Sequence, residues 1–381
     1  MISDLNHFVR ISSLAIFGET LAATLFVALL LSLLVVVTSK FHGRFSMDHP
    51  GAVQKFHLNP TPRIGGVGIY FSLLVAWYVI KPSEARQILG AIVVAGLPAF
   101  LFGVIEDFTK RVSVRSRLIA TMASGALVCI LSGSTLSRLD IPLIDDLLQF
   151  TPVAILFTAF AVGGVANAIN IVDGFHGLAS GVGILAFIGL GLLAMSGGDV
   201  SVAAVAFLGA TALAGFWLVN YPWGKLFLGD GGAYFTGFVL AWLAVLIPAR
   251  NPAISPWACL LVCSYPIIEV LYSIARRMFN RMSPGDADSK HLHSLLATQL
   301  IRRHLGGFPH TLQNAAVAPF IWLFVAGLVV ISLLYRESTS NLMIWFLGAV
   351  AIYHFTYRTL RRLPTPAVPP GKLVPRTADT D

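Results

Sequence analysis

The feature that most constrains this chain is a series of long apolar runs, each close to the length needed to cross a lipid bilayer. About eleven can be marked, with approximate limits 21–39, 65–82, 88–105, 115–133, 151–171, 178–196, 200–219, 232–249, 255–275, 314–335 and 340–358. A helix of about 20 apolar residues spans the hydrocarbon core of a membrane. The sequence therefore predicts an all-α integral membrane protein with about 10–11 transmembrane helices within residues 1–358.

Composition disfavours several other classes of protein. Charged residues make up only 12% of the 381 residues, against about 25% in soluble domains. The net charge of +8 comes from short segments beside the apolar runs, which favours a role in topology and contact with lipid head groups over nucleic-acid binding. Residues 359–381 are basic and proline-rich, and we expect them to form a disordered tail.

The distribution of Lys and Arg predicts how the chain lies in the membrane. If the N-terminus is outside, 20 of the 26 Lys and Arg residues fall on the cytoplasmic side, so an N-out, C-in arrangement is expected. Eight of the ten histidines fall on that same side. The middles of the runs carry almost no ionisable groups, whereas a transporter tends to place charges near the midplane. The pattern favours an enzyme that works at the lipid–water boundary.

Two cytoplasmic segments carry candidate phosphate and metal groups. In KFHLNPTPRIGG, Lys55, Thr61 and Arg63 precede two glycines, and a turn with exposed amides and a planar cation can cradle a phosphate. The alternative is a basic loop that starts a helix. In GVIEDFTKR, Glu106 and Asp107 are adjacent carboxylates, so one can act as a base or the pair can attract Mg²⁺. A solvated helix end is the alternative.

Two further segments end or begin an apolar run with polar residues. In NAINIVDGFHG, Asn167 and Asn170 lie three residues apart before Asp173, and amides are costly in hydrocarbon unless they bind something. In NYPWGKLFLGDGG, Lys225 precedes Asp230, which lies among glycines. Flanking glycines let backbone amides approach a phosphate while the carboxylate reaches a metal. A tight glycine-rich turn is the alternative for the second segment.

The fifth segment is the H-x-H pair of the long loop, His291 and His293. Residues two apart lie on one side of an extended loop but on different faces of a helix. Zn²⁺ binding lacks a cysteine or a second histidine pair to complete the site. Contact with a diphosphate is the preferred interpretation, with an ordinary surface loop as the alternative.

Taken in order, the TPRIGG, ED, NAINIVDG, FLGDGG and HLH segments resemble those of the polyprenyl-phosphate N-acetylhexosamine-1-phosphate transferases, glycosyltransferase family 4. The resemblance covers nearly all of residues 21–358. It implies transfer of a sugar 1-phosphate from a UDP-sugar to undecaprenyl or another polyprenyl phosphate, with release of UMP. It also implies Mg²⁺ as cofactor, with Mn²⁺ as the alternative, and a multi-pass protein of the bacterial inner membrane whose active site faces the cytoplasm. Dimers occur among relatives, so a second copy of the chain is a candidate partner.

The resemblance also implies roles for individual residues. Asp230 would be the principal metal ligand together with Asp107, and Asp107 would also deprotonate the lipid phosphate for direct attack on the UDP-sugar. Glu269, in a P-x-x-E arrangement, matches an acidic position of many relatives. The implied catalytic residues are Asp107, Glu106, Asp173, His291 and His293, and the implied substrate-binding residues are Lys55, Thr61, Arg63, Asn167, Asn170, Lys225 and Phe227.

The chain departs from the family pattern at three of these motifs. The acidic pair begins with Glu106 rather than aspartate, His176 stands where aspartate is common, and Ser294 replaces a third histidine. The H-x-H spacing fits the branch that initiates O-antigen and other surface polymers better than the phospho-N-acetylmuramoyl-pentapeptide transferase branch. The phospho-N-acetylmuramoyl-pentapeptide transferase branch is one alternative, and a nucleotide-sugar or lipid transporter is the other.

Overall fold

The computed structural model describes residues 17–48, 60–81, 83–282 and 290–364, and within them the chain is almost entirely helical. The first half contains α1 (Gly18–Val37), α2 (Ser39–Ser46), strands β1 (Met47–Asp48) and β2 (Thr61–Pro62), α3 (Gly66–Val79), α4 (Glu84–Ala95), α5 (Leu97–Thr109), α6 (Val114–Ser132), α7 (Pro142–Leu148) and α8 (Thr151–Val172). The second half contains α9 (Leu178–Ser196), α10 (Val200–Asn220), α11 (Gly229–Arg250), α12 (Pro256–Val262), α13 (Ser264–Phe279), α14 (Leu292–Leu295), a π-helical turn (Leu296–Ile301), α15 (Arg302–His304), α16 (His310–Ala315), α17 (Ala318–Leu334) and α18 (Thr339–Arg362).

Seven helical stretches in this described part are long and apolar enough to cross a membrane: α1, α6, α8, α9, α10, α11 and the His310–Leu334 stretch that joins α16 to α17. The pairs α4–α5 and α12–α13 pass the same test when each is taken as one span, but they are bent by 42° and 76°. The all-α integral membrane class is therefore confirmed. By length and composition the described residues contain seven such stretches, or nine with each bent pair as one span, against the 10–11 expected, and α3 and α18 are not among them.

The outer surface of the bundle is apolar. Leu323, Leu334 and Phe355 are each more than 70% exposed. In water such a surface would be unfavourable, whereas in a bilayer it contacts lipid chains.

The orientation of the termini and the division at residue 358 stay predictions. Helix α18 continues to Arg362, four residues past that division. Residues 365–381, the rest of the predicted tail, lie outside the described residues.

Helix α11 is the centre of the molecule. It packs against α8, α5, α9, α3 and α10, and 89% of its most apolar stretch is buried. Phe235, Phe238 and Trp242 along it are fully buried. Because its neighbours enclose it, the residues at each end of α11 are held in fixed places.

A short antiparallel ladder closes the segment that carries Arg63. Met47 pairs with Pro62, and Asp48 pairs with Thr61. The N–H of Arg63 also donates to the carbonyl of Ser46 at 2.9 Å. These bonds fix the backbone on both sides of Arg63, so its guanidinium starts from a defined position.

Candidate functional site

The backbone of the TPRIGG segment is bonded directly to the backbone of the FLGDGG segment. The N–H of Phe227 donates to the carbonyl of Pro62 at 2.8 Å, and the N–H of Gly65 donates to the carbonyl of Phe227 at 2.9 Å. The N–H of Gly66 donates to the carbonyl of Leu228 at 2.9 Å. Two segments more than 160 residues apart in the sequence are thereby joined next to the start of α11.

The join requires glycine at position 229. Gly229 has φ of +76°, and a Cβ there would lie 2.3 Å from the Arg63 carbonyl and 2.6 Å from a carboxylate oxygen of Asp107. L side chains rarely adopt that φ, and nothing so close can be accommodated. Gly229 thus allows a close approach of backbone segments, which fits the alternative of a tight turn, and the approach of a phosphate to these glycines stays a prediction.

Asp107 lies against the first turn of α11. Its Oδ1 accepts from the N–H of Asp230 at 2.9 Å, and its Oδ2 accepts from the N–H of Gly231 at 3.0 Å. The side chain is 1% exposed. A carboxylate in this place satisfies amides that have no partner within the helix and interacts favourably with the helix dipole. Asp107 therefore holds the start of the helix that carries Asp230.

The Asp230 carboxylate receives donors from three other elements. Arg63 donates to Oδ1 and Arg117, from the first turn of α6, donates to Oδ2. The side-chain amide of Asn170 donates to Oδ1 at 3.0 Å. Asp230 is 1% exposed, and a buried carboxylate is stable only when it is paired and hydrogen-bonded.

Arg63 is shared among four carboxylates. Its Nε lies 3.4 Å from Asp107, and its Nη1 lies 4.0 Å from Asp48. Burial alone would lower the pKa of Arg63, but the charges of Asp230, Asp107, Asp48 and Asp173 outweigh that effect and the pKa is raised. The guanidinium therefore stays charged among them.

Asp173 is the fourth carboxylate. Burial and the negative charge of Asp230 together raise its pKa to about 7, against the lowering effect of Arg63. The N–H of Gly229 hydrogen-bonds to it and favours the ionised form. Carboxylates outnumber guanidinium groups in the cluster, so it carries an excess of negative charge when all four carboxylates are ionised.

The histidine pair lies on the neighbouring part of the molecule, against Glu269. His291 Nδ1 is 3.1 Å and His293 Nδ1 is 3.6 Å from the oxygens of that carboxylate. The two rings stack at 5.2 Å between centroids. His291 is in an extended conformation just before α14, and His293 lies inside that helix, so the two rings stack at the start of a helix and not along an extended loop. The ring of Phe175, two residues after Asp173, lies 5.6 Å from the ring of His293.

Other predicted site residues have different surroundings. Asn167 donates to Thr121 at 3.1 Å and to the carbonyl of Gly163 at 2.8 Å. Of the two asparagines, only Asn170 bonds to Asp230 in the described contacts. Glu106 accepts from the N–H of Val112 at 2.8 Å and has one oxygen 3.9 Å from Arg117.

The remaining predicted substrate-binding residues lie near the join of the two segments or outside the description. Thr61 is buried in β2. Phe227 contributes its backbone to the join, and its ring lies 6.0 Å from the ring of His176. Lys225 is exposed beside that turn. Lys55 lies outside the described residues.

The sequence reasoning missed Arg117 and Asp48 as members of the cluster. Arg117 is part of a basic stretch, and the sequence analysis uses that stretch only to predict topology. Its position in the first turn of an apolar helix also predicts a partner for it, because a charge there is costly without one. For Asp48 no local signal exists, because only the two-residue ladder brings it to Arg63.

The donors present fit a magnesium-type site better than a zinc site. Within the described ranges, no group of three or more His, Cys, Asp or Glu side chains is arranged to hold a metal by itself. Mg²⁺ usually takes one or two carboxylates and completes its shell with waters and substrate phosphates. Asp230 and Asp173 offer such oxygens, whereas both histidines turn Nδ1 toward Glu269.

Comparison with known proteins agrees with this cluster. The family model described as Glycosyl transferase family 4 matches residues 89–247, a range that contains Asp107, Arg117, Asn170, Asp173 and Asp230. The chain is 24% identical over 252 residues to the "Probable undecaprenyl-phosphate N-acetylglucosaminyl 1-phosphate transferase" of Bacillus subtilis, covering 66% of this chain and 69% of the relative.

Two other relatives extend the comparison. The "Undecaprenyl-phosphate alpha-N-acetylglucosaminyl 1-phosphate transferase" of Escherichia coli K12 is 26% identical over 66% of this chain and 68% of its own length. The "Decaprenyl-phosphate N-acetylglucosaminephosphotransferase" of Mycolicibacterium smegmatis is 27% identical over 82% of each chain. The family match, the names of these relatives and the membrane-spanning helices agree with one another, and the chain is similar to glycosyl transferase family 4 over residues 89–247.

Proposed function

We propose that this protein transfers an N-acetylhexosamine 1-phosphate from a UDP-sugar to a polyprenyl phosphate and releases UMP, as the initiating step of a lipid-linked surface glycan. The observation that carries the proposal is the buried cluster at the start of α11, where Arg63 and Arg117 meet an excess of carboxylates. The curated relatives are N-acetylglucosamine 1-phosphate transferases that act on undecaprenyl or decaprenyl phosphate. UDP-N-acetylglucosamine and undecaprenyl phosphate are therefore the first substrates to test.

The reaction joins two anions, so charge must be neutralised before the atoms can meet. An oxygen of the lipid phosphate bonds to the phosphorus of the sugar 1-phosphate while the bridging P–O bond to UMP breaks. Arg63 and Arg117 supply fixed positive charge beside Asp230, which suits the phosphoryl groups of such a transition state. The histidine pair would contact the diphosphate of the UDP-sugar from the other side of the Asp173–Gly174 turn.

Phosphotransferases of this family are generally metal-dependent, and we propose Mg²⁺ as the ion, with Mn²⁺ as the alternative. Asp230 and Asp173 would hold it, with the Asp107 carboxylate close by. Such an ion would screen the diphosphate and the phosphate of the departing UMP. Asp107 is proposed both to hold the start of α11 and to accept a proton from the lipid phosphate. The amides of Asp230 and Gly231 use only part of its acceptor capacity.

We further propose that the cluster faces the cytoplasm in a bacterial inner membrane. Support comes from the Lys and Arg count, which predicts that the segments before α3 and between α5 and α6 are inside. A homodimer remains a prediction. No observation on the described residues favours a transporter.

The test is UMP release by the purified protein with undecaprenyl phosphate, Mg²⁺ and a panel of UDP-N-acetylhexosamines. UMP is expected with one sugar, only when lipid phosphate is present, and not with added EDTA. Protein carrying Asp230→Asn, purified in the same way, controls for contaminating enzymes. Absence of UMP with every sugar of the panel would contradict the proposal, as would equal release by the variant.

A further inference from the structure

Glu269 is a buried acid that the proposed chemistry does not use directly. It lies in α13, just after the 76° bend between α12 and α13, and is 1% exposed. Taking an ionised carboxylate out of water costs several kcal/mol unless donors compensate it. Such a residue must therefore be satisfied by the chain itself or by a ligand, and its contacts distinguish the two cases.

The contacts of Glu269 come from three separate elements. Its Oε1 accepts from the hydroxyl of Tyr353 in α18 at 2.8 Å and from the N–H of Leu292 in α14 at 3.0 Å. Its Oε2 accepts from the hydroxyl of Tyr265 on its own helix at 3.2 Å. With His291 on Oε1 and His293 near Oε2, the roughly four acceptor sites of a carboxylate are all engaged by the chain. Glu269 is therefore not placed to bind a metal or a substrate itself.

The same contacts determine how the histidines present themselves. An ionised carboxylate only accepts hydrogen bonds, so the ring nitrogen that faces it must carry the proton. In His291 that nitrogen is Nδ1, 3.1 Å from Oε1. In His293, Nδ1 lies 3.6 Å from Oε2 and 3.4 Å from the hydroxyl of Tyr265, which donates its own proton to Oε2 and can therefore accept only from Nδ1–H. In a neutral imidazole the lone pair then lies on Nε2. A hydrogen-bonded carboxylate behind a histidine commonly fixes its tautomer and orientation in this manner.

The Nε2 edge of His293 points toward the proposed reaction site. A Cβ placed on Gly174 would lie 3.6 Å from that Nε2, and Gly174 directly follows Asp173, which interacts with Asp230. The side of the ring opposite Glu269 therefore meets the turn that borders the carboxylate cluster.

We infer that Glu269 is a positioning residue of the transfer reaction, which holds His291 and His293 with Nδ1–H inward and presents the Nε2 edge of His293 to the diphosphate of the UDP-sugar. This inference rests on the proposed function for its substrate. The arrangement of the two imidazoles does not depend on that function, so the two can be tested separately.

The first experiment measures the tautomers directly. The protein is labelled with [¹⁵N]histidine, and long-range ¹H–¹⁵N spectra are recorded without substrate, well above the pH range in which imidazole titrates. The signals are assigned by His291→Gln and His293→Gln. The two rings are expected to show a protonated Nδ1 and an unprotonated Nε2, and Glu269→Gln is expected to lose this state in at least one ring. Rings with Nε2–H in the native chain, or unchanged signals in the variant, would overturn the inference.

The second experiment separates positioning from simple stabilisation. Glu269→Gln is expected to lower kcat for UMP release by about 10–100-fold with a smaller change in KM for the UDP-sugar. Glu269→Asp should restore part of the loss, because a carboxylate is retained. Asp140→Asn is the matched control, since Asp140 also accepts from side chains of two other elements, Ser255 and Thr339, but at the far end of the bundle.

The outcomes exclude one another. If Glu269 only stabilises the fold, Glu269→Gln will behave like Asp140→Asn: a lower Tm with unchanged kcat per folded molecule. That result would overturn the inference. If the native protein releases no UMP with any sugar, the proposed function fails, and the tautomer spectra still decide whether Glu269 orients the histidines.

Discussion

The two ends of α11 carry similar residues in different surroundings. The helix has 22 residues, so its ends are about 33 Å apart. At its start, Asp230 is 1% exposed and bonded to Arg63 and Arg117. At its end, Arg250 lies 2.6 Å from Asp199 and 2.7 Å from Glu84, with side-chain exposures of 33% for Arg250 and 50% for Glu84.

The difference shows where charge can do chemistry in this molecule. The exposed pair of Arg250 with Glu84 is screened by solvent and contributes about 1 kcal/mol or less, and the Asp199 side chain, 7% exposed, pairs with an arginine that is 33% exposed. At the start of α11 the charges are buried, they sit at a helix N-terminus, and the carboxylates exceed the cations. A buried excess of one sign is costly unless an ion or a substrate completes it. Ion pairs alone do not mark the site, but burial together with imbalance does.

Substitution of Asp230 is expected to give the largest difference in kcat between the two ends of α11. Asp230→Asn should lower kcat for UMP release by about 10²–10³-fold or more, because it removes the charge at the centre of the cluster. Asp199→Asn, which changes the carboxylate beside Arg250, should leave kcat near the native value. Both rates are measured on purified protein of verified Tm. Equal losses of kcat in the two variants would mean that the start of α11 is no more important for the reaction than its far end.

Asp107 tests whether the cap at the start of α11 is essential. In Asp107→Asn one oxygen becomes an NH₂ group, which faces an amide donor and cannot accept from it. We expect a lower Tm together with a large loss of UMP release, because the turn that carries Asp230 loosens. Asp145→Asn is the control, since Asp145 accepts the single N–H of Leu139 and asparagine can keep that bond. Lost activity with native Tm would assign Asp107 to proton transfer alone.

Arg117 has a smaller expected effect, because Arg63 remains beside Asp230. Arg117→Ala should reduce kcat/KM by about 10-fold, which corresponds to one charge-assisted hydrogen bond. Arg250→Ala, at the exposed end, should change kcat/KM little. The comparison is made at several salt concentrations. An exposed pair is screened by salt and a buried one much less, so a strongly salt-dependent defect in Arg117→Ala would argue against a buried role.

The membrane class, most of the apolar helices and the tight glycine-rich turn at Asp230 could be predicted from the sequence, because apolar length and glycine chemistry are local properties. Asp230 among glycines is one example. The run 255–275 does not predict the bend at Cys263, although Pro266 lacks the N–H that would bond to the carbonyl of Val262, where α12 ends. A continuous apolar pattern does not reveal such a break.

The rest of the site depends on contacts between distant segments. Asn167 and Asn170 look equivalent in the sequence, yet packing against α6 directs Asn167 to Thr121 and leaves Asn170 to reach Asp230. The cap formed by Asp107 joins residues 123 positions apart. The position of Glu269 behind both histidines likewise follows from three elements that meet only in the fold.

The pH dependence of stability, compared between the native protein and Asp173→Asn, tests the smallest expected effect of the buried charges at the start of α11. Burial raises its pKa from 3.8 to about 7, so between these values the folded state binds more protons than the unfolded state. Stability should therefore fall as the pH rises from about 4 to about 7 and then level off. Tm measured with EDTA should show this decline in the native protein and a weaker decline in Asp173→Asn. Asp146→Asn removes the same charge from an exposed position, and its pH dependence should match the native one. A native-like slope in Asp173→Asn would mean that the cluster keeps Asp173 ionised at neutral pH, and that the excess charge at the start of α11 is already present before any cation binds.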